Sequence, residues 1–286
     1  MLGEKLGEFR GKVTGQRILP AAASMAHGLY RRDKVLATTV WFNLVLVICM
    51  LVVLPFDSRL VTGINPWIKP IKFALSIALY AYTVARLLEY LRLSNWGKKT
   101  ISWGVSVCVL TQIVCITTQA ARGTTSHFNM TTREDAAISI IMDIMDPLNS
   151  VFVVALLIFA CQGRYNVTRP FLWSIRSGLA IFLGASAIGF VMVAHGAHSI
   201  GVEDGGPGLP LMDWSTTGGD LRVAHFVGLH GLQVLPVCAW LISKHDGWTL
   251  SQKTAYVLAL SVVYALIVGI LYLQAIHGVP LLRVRY

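Results

Sequence analysis

Charge is what this chain has least of: only 13% of its 286 residues are Asp, Glu, Lys or Arg, about half the share usual in a soluble domain. A soluble protein of that composition would have to bury nearly all of its apolar surface, whereas a lipid-facing exterior removes the difficulty. Paired cysteines are lacking too. The five cysteines, Cys49, Cys108, Cys115, Cys161 and Cys238, form no CxxC pair and sit in or beside apolar runs. That excludes a zinc knuckle or a thioredoxin-like motif and leaves small buried hydrophobes. A secretory leader is not evident. The first 34 residues carry Lys5, Arg10, Lys12 and Arg17, then one apolar stretch, Leu19 to Tyr30, broken by Pro20 and His27. It is too short to span a bilayer and reads as a cytoplasmic N-terminal segment, 1–34, lying on the membrane surface. There is no internal repeat and no soluble domain.

What is present is apolar: 55% of the residues are hydrophobic, with a mean hydropathy of +0.63. The net charge of +10 does not imply nucleic acid as a partner, because the basic residues lie in short loops between apolar runs, where membrane topology is written. Seven segments have spanning length: 36–56, 68–91, 101–120, 134–160, 172–196, 221–243 and 254–276. The expected fold is therefore all-α, a polytopic integral membrane protein with a seven-transmembrane-helix bundle over 35–286. Arg31, Arg32, Lys34, Arg92, Lys98, Lys99, Arg164, Arg169, Lys244 and Lys253 fall on one side. The other side has fewer basic residues and carries Asp57, Glu134, Asp135, Glu203, Asp204 and Asp213. The positive-inside rule then puts the N-terminus in and the C-terminus out. Asn65–Pro66, Thr132 with Asp135, and Gly219–Asp220 read as helix openings. Ala180, Gly184, Ala185 and Gly189 give the fifth span a small-residue packing stripe. The Gly- and Pro-rich loop 197–219 is long enough to be functional or a folded lid.

Charge inside a span costs roughly 2.5–3.5 kcal/mol per residue, so each such residue is informative. Asp143 and Asp146 stand one turn apart in the fourth span, beside Pro147, and Lys69 and Lys72 one turn apart in the second. A Lys/Asp cluster facing the bundle centre would neutralise both pairs. His127, His195, His198, His225, His230 and His277 map to the outer half or outer loops. His195 and His198, three apart, are expected to share a face and, with His225, to offer metal ligands. His230 lies deeper, roughly 15 Å in, on a face shared with Gln233.

The strings INPWIKPIKFALS (64–76), QAARGTTSHFN (119–129) and WSTTGGDLRVAHFVGLHGLQVLP (214–236) resemble those of a family of bacterial multi-span membrane proteins with no assigned activity. The resemblance implies a bacterial cytoplasmic membrane setting and carries no mechanism. The seventh span holds no lysine for a retinal Schiff base, and His225 and His230 are spaced HxxxxH, unlike the HxxxH pair of seven-span zinc hydrolases. Three functions are compatible with the residues. The first is a metal- or heme-binding redox protein, in which His195 or His198 faces His225 across a heme b or transition metal ion, Arg122 and Arg222 pair the propionates, and His230 is a further metal candidate. The second is a proton- or ion-coupled transporter using Asp143, Asp146, Lys72 and His230, with a small molecule, ion or quinone as substrate. The third is an intramembrane zinc hydrolase with His195, His198 and His225 on the metal and Asp143 or His230 activating water.

Overall fold

The computed structural model describes residues 28–162 and 165–284. Most of the expected N-terminal segment, the basic position Arg164 and the last residues of the tail therefore lie outside the described residues. Seven helices are long and apolar enough to cross a membrane, as expected of an integral membrane protein. They are α1 (Lys34–Val53), α2 (Ile68–Tyr90), α3 (Asn95–Arg122), α4 (Arg133–Gln162), α5 (Arg169–His195), α6 (Leu221–Ser243) and α7 (Leu250–Ile276). The only strands among the described residues are two short segments, β1 (Ser199–Ile200) and β2 (Gly219–Asp220), paired antiparallel.

The helix starts follow from side chains that occupy orphan backbone donors. Asp33 accepts from the amides of Val35 and Leu36 and opens α1. Thr132 accepts from the Asp135 amide at 3.1 Å and donates back to its carboxylate at 2.8 Å, opening α4. Asp220 caps α6 through the Arg222 amide. Asn65 is not the cap expected of it: its Oδ1 takes the Trp67 amide at 3.0 Å in the turn before the helix, and α2 begins only at Ile68, with Trp67 at the cap position.

Two ends emerge from the contacts. At one end the 57–67 connection, the 123–132 turn, the 197–219 loop and the segment after α7 come together. Arg59 donates to the Ala121 carbonyl, Gly205 lies against Thr62, and a side chain on Gly219 would strike the Ala275 carbonyl. At the other end Arg32 pairs with Glu89, and Leu91 bridges to Tyr165. In the bundle α2 occupies the middle, touching α4 through Tyr80, α5 through the Tyr80–Phe182 stack and α6 through Thr83.

α5 and α6 approach closely, as the small-residue stripe predicts, but the residues differ in part. A Cβ at Gly178 would meet the Leu232 Cα at 3.0 Å, and one at Gly228 would meet the Ala185 Cβ at 2.6 Å. Gly184 has open space beside it, so the contacting face runs through 178, 185 and 189. The long loop 197–219 is folded. A bridge joins Gly208 to Ser215, the Leu209 amide donates to the Trp214 carbonyl at 2.8 Å, and the Thr216 amide to the Pro207 carbonyl at 3.0 Å.

Candidate functional site

The polar residues of the loop-bearing end are assembled around the start of α2. Lys69 and Lys72 stand one turn apart there, both half-buried. Lys72 donates to the carbonyls of Leu211 and Met212, at 2.7 and 3.0 Å, and so fastens the folded loop onto the helix. Lys69 reaches His127 Nδ1 at 3.2 Å. Among the described residues neither ammonium has a carboxylate in salt-bridge contact. Arg222, in the first turn of α6, is by contrast fully engaged: it pairs with Asp220 at 2.7 Å and Asp213 at 3.4 Å, and donates to the Asp213 carbonyl.

Two imidazoles complete the group, and their protons can be assigned from their partners. His198 Nδ1 lies 2.7 Å from Asp204 Oδ2, which also takes the His198 amide at 3.0 Å, while Oδ1 takes the Ser199 amide at 2.9 Å. A carboxylate only accepts, so Nδ1 carries the hydrogen and Nε2 keeps its lone pair. Burial alone would raise the Asp204 carboxyl; these three hydrogen bonds hold it well below the usual carboxylate range. His127 is the opposite tautomer. Its Nδ1 receives Lys69 and lies 2.9 Å from Ser126 Oγ, and an ammonium has only hydrogens to give, so the ring hydrogen is on Nε2. Burial, followed by the neighbouring Lys69 charge, holds the His127 imidazolium well below its ordinary pKa. Burial does the same to His198, opposed by Asp204. The two rings are 6.3 Å apart, and Phe128 packs against both.

Backbone strain gathers at the same place. Phe128, Leu211 and Asp213 have φ of 60°, 63° and 59°, a left-handed conformation that costs a non-glycine residue of order 1 kcal/mol or more. They are the neighbour of His127, the acceptor of Lys72 and the partner of Arg222.

The expected Lys/Asp cluster is not formed. Lys72 is four residues into α2, and its flexible stem carries the charge to the loop. Asp143 and Asp146 are ten and thirteen residues into α4, roughly 15–20 Å from that helix's start. The two pairs therefore sit at different depths. Asp146 meets α3, where Gln112 Nε2 donates to its Oδ1 at 2.7 Å and to the Met142 carbonyl at 3.0 Å. One turn on, Asn149 accepts from Tyr80 at 3.1 Å. Asp146 is nevertheless exposed on the bundle surface, and Asp143 has no hydrogen-bond partner among the described residues.

His195 and His198 do not share a face. α5 ends at His195, and Gly196, with φ of 70°, turns the chain, leaving His195 exposed. His225 donates from Nδ1 to the Ala185 carbonyl at 2.7 Å and lies against Gly189, so it serves the α5–α6 contact. His230 bonds the Phe226 carbonyl of its own helix at 2.8 Å and packs at a tilt against the Phe226 ring, His277 is exposed, and Gln233 reaches Thr83 at 3.3 Å. Arg122 pairs with Asp135 at 2.7 Å, so both arginines expected at heme propionates are bound to carboxylates. Among the described residues no three His, Cys, Asp or Glu side chains converge as a metal-ligand set. Asp204 as a partner is not among the sequence expectations, and His127 is there only as one of six outer histidines. The signal was His127 within the QAARGTTSHFN string and an acid in a Gly-rich loop after His198.

No family model matches the chain, and comparisons with curated proteins and with solved structures find no match either.

Proposed function

We propose that the protein is a proton-coupled carrier of a small anionic solute, with its binding site at the loop-bearing end, beneath the folded 197–219 loop. The observation that carries this reading is Lys69. It is a half-buried ammonium whose hydrogen-bond partner is a neutral imidazole, and it stands beside a His–Asp pair with an open nitrogen. A cation without a carboxylate partner attracts an anion, and a carboxylate-braced imidazole is a group that takes up and returns a proton.

Transport is favoured over binding alone by a second polar station deeper in the bundle. Lys69 and Tyr80, like Lys72 and Thr83, are eleven residues apart on α2, which places each pair on one face about 17 Å apart. Tyr80 touches Asn149 near Asp146, and Thr83 touches Gln233. Pro147 and Pro236 interrupt the backbone ladders of α4 and α6, giving those helices points of weakness. Basic residues at the opposite end, including Arg32, Lys98 and Lys244, support an orientation with that end in the cytoplasm and the site facing outward. The heme, metal-ion and zinc-hydrolase readings rest on imidazoles that engage separate partners, and they draw no support from this arrangement.

Proteoliposomes loaded with a pH-sensitive dye test the proposal, with inorganic phosphate, bicarbonate and lactate as probe anions. We expect an anion-dependent change of internal pH in the wild type that disappears in Lys69→Met. Protein-containing vesicles that respond no differently from empty ones to all three probes would overturn it.

A further inference from the structure

The end of the bundle away from the 197–219 loop carries cations that the chain does not neutralise. α1 and α3 both start there and run in parallel: Asp33, the cap of α1, takes the Ser102 hydroxyl of α3, and deeper in Thr39 donates to Ser106 at 2.9 Å. Arg31 and Arg32 just ahead of α1, Lys34 at its first position, and Lys98 and Lys99 early in α3 therefore lie on one rim. The two carboxylates on this rim among the described residues are both taken. Asp33 accepts from the Val35 and Leu36 amides as well as Ser102, and Glu89 takes Arg32 at 3.1 Å and Arg86 at 2.7 Å. Arg31, Lys34, Lys98 and Lys99 have no carboxylate in salt-bridge contact among the described residues. Nor does either helix have an acidic residue in its first turn, where the backbone dipole favours an anion over a cation.

Two aromatic rings mark the depth of this rim. Tyr30 and Trp96 are 48% and 77% exposed, and the Lys34 ammonium lies over the Tyr30 ring at 5.8 Å. Exposed Tyr and Trp at the ends of spanning helices belong to the headgroup layer of a bilayer, and lysine stems carry their charge into the same layer. The anion found at that depth is the phosphate of a phospholipid. We propose that the rim formed by the starts of α1 and α3 is a docking surface for anionic phospholipid headgroups. Arg31, Lys34, Lys98 and Lys99 attract the phosphates, while Arg32 is already held by Glu89. A headgroup of net negative charge, such as that of phosphatidylglycerol, gains from all four cations. Phosphatidylcholine brings its own ammonium and gains little. Clusters of four or more Lys and Arg at the end of a spanning helix are of the size that recognises anionic lipid.

Dioctanoyl phosphatidylglycerol and dioctanoyl phosphatidylcholine share their chains and differ in headgroup charge. Thermophoresis of the purified full-length protein in an uncharged detergent is expected to give at least ~10-fold tighter binding of the first. Lys98→Gln with Lys99→Gln should weaken phosphatidylglycerol by roughly 5-fold per lysine and leave phosphatidylcholine unchanged. Lys98→Arg with Lys99→Arg keeps the charge and should keep the preference. Lys244→Gln with Lys253→Gln removes two cations from the α6–α7 turn, away from the rim, and should leave the preference intact. Equal binding of the two lipids would overturn the proposal. So would an equal loss in the two glutamine double variants, since the effect would then be diffuse charge and not this surface. Glycerol 3-phosphate binding as tightly as phosphatidylglycerol would overturn the lipid and point to a soluble phosphate. All of these readouts are independent of anion flux through Lys69, so either proposal can fail alone.

Discussion

Two groups of costly residues sit in this bundle, and they are treated in opposite ways. At the loop-bearing end, Lys72, Arg222, Asp204, Asp213 and Asp220 are drawn into contact by a folded loop, and almost every hydrogen-bonding atom has a partner. Midway along α4, Asp146 has one amide, Asp143 has none among the described residues, and few of the helix's residues are buried. The end is an assembled network whose members depend on each other. The middle is a pair of carboxylates attached to the bundle by a single side chain. A network loses a great deal when one member is removed, while a pair on a weak attachment loses little.

The largest effect should come from Asp220→Ala. The Asp220 side chain is fully buried; it caps α6, pairs with Arg222 and takes the Ser215 amide. Breaking a buried pair typically costs 3–5 kcal/mol, of which Asp213, 3.4 Å from Arg222, offsets a part. Thermal unfolding in detergent should show a large drop. A transition unchanged from wild type would mean that the loop-bearing end is held by something else.

Lys72→Met sharpens the same contrast at a smaller scale. It removes two charge-assisted bonds to the loop, each of a kind worth about 1.5–3 kcal/mol, and keeps the apolar stem. The expected readout is local: faster amide hydrogen exchange across 207–216, with α5 and α6 unaffected. Exchange unchanged in the loop would show that the Gly208–Ser215 bridge and Trp214 hold it without the lysine.

Protonation probes the network without a mutation. His127 and His198 both have folded pKa values below the ordinary histidine value. The unfolded chain therefore takes up protons first as pH falls, and stability is lost below about pH 6.5. A melting temperature that declines between about pH 7.5 and about pH 5.5 is expected. His127→Asn should flatten the decline, and His198 accounts for the remainder. A profile as steep in the variant as in wild type would remove His127 from the network.

The seven spans were legible because each is a long apolar run, and the helix-opening residues Thr132 and Asp220 were legible because caps are local chemistry. The candidate site was only partly so. Lys69 and Lys72 announced themselves by standing charged in an apolar stretch, yet their partners did not. Lys72 finds backbone carbonyls nearly 140 residues away, and carbonyls leave no mark in a sequence. The shared face expected of His195 and His198 fails because a positive φ at Gly196 ends the helix between them. The Lys/Asp pairing failed on depth: opposite charges attract only if their helices bring them to one level, and the long lysine stem moves its charge toward the end of the bundle.

The middle of α4 supplies the smallest expected effect and the sharpest contrast. Asp146→Asn keeps the shape of the side chain and an oxygen for Gln112 Nε2 to donate to, so the one hydrogen bond survives. It also deletes a charge whose presence in a span costs roughly 2.5–3.5 kcal/mol when ionised. If Asp146 contributes little to folding, the variant should melt within about 1 kcal/mol of wild type, or higher, since the substitution removes a charge that is costly within a span and keeps the one hydrogen bond. Its effect should appear in proton-coupled flux, where a carboxamide has no proton to exchange. A steep loss of stability would place Asp146 in a network as tight as that around Arg222 and erase the difference between the two regions. Stability and flux both unchanged would confine proton handling to His198 and Asp204 at the loop-bearing end.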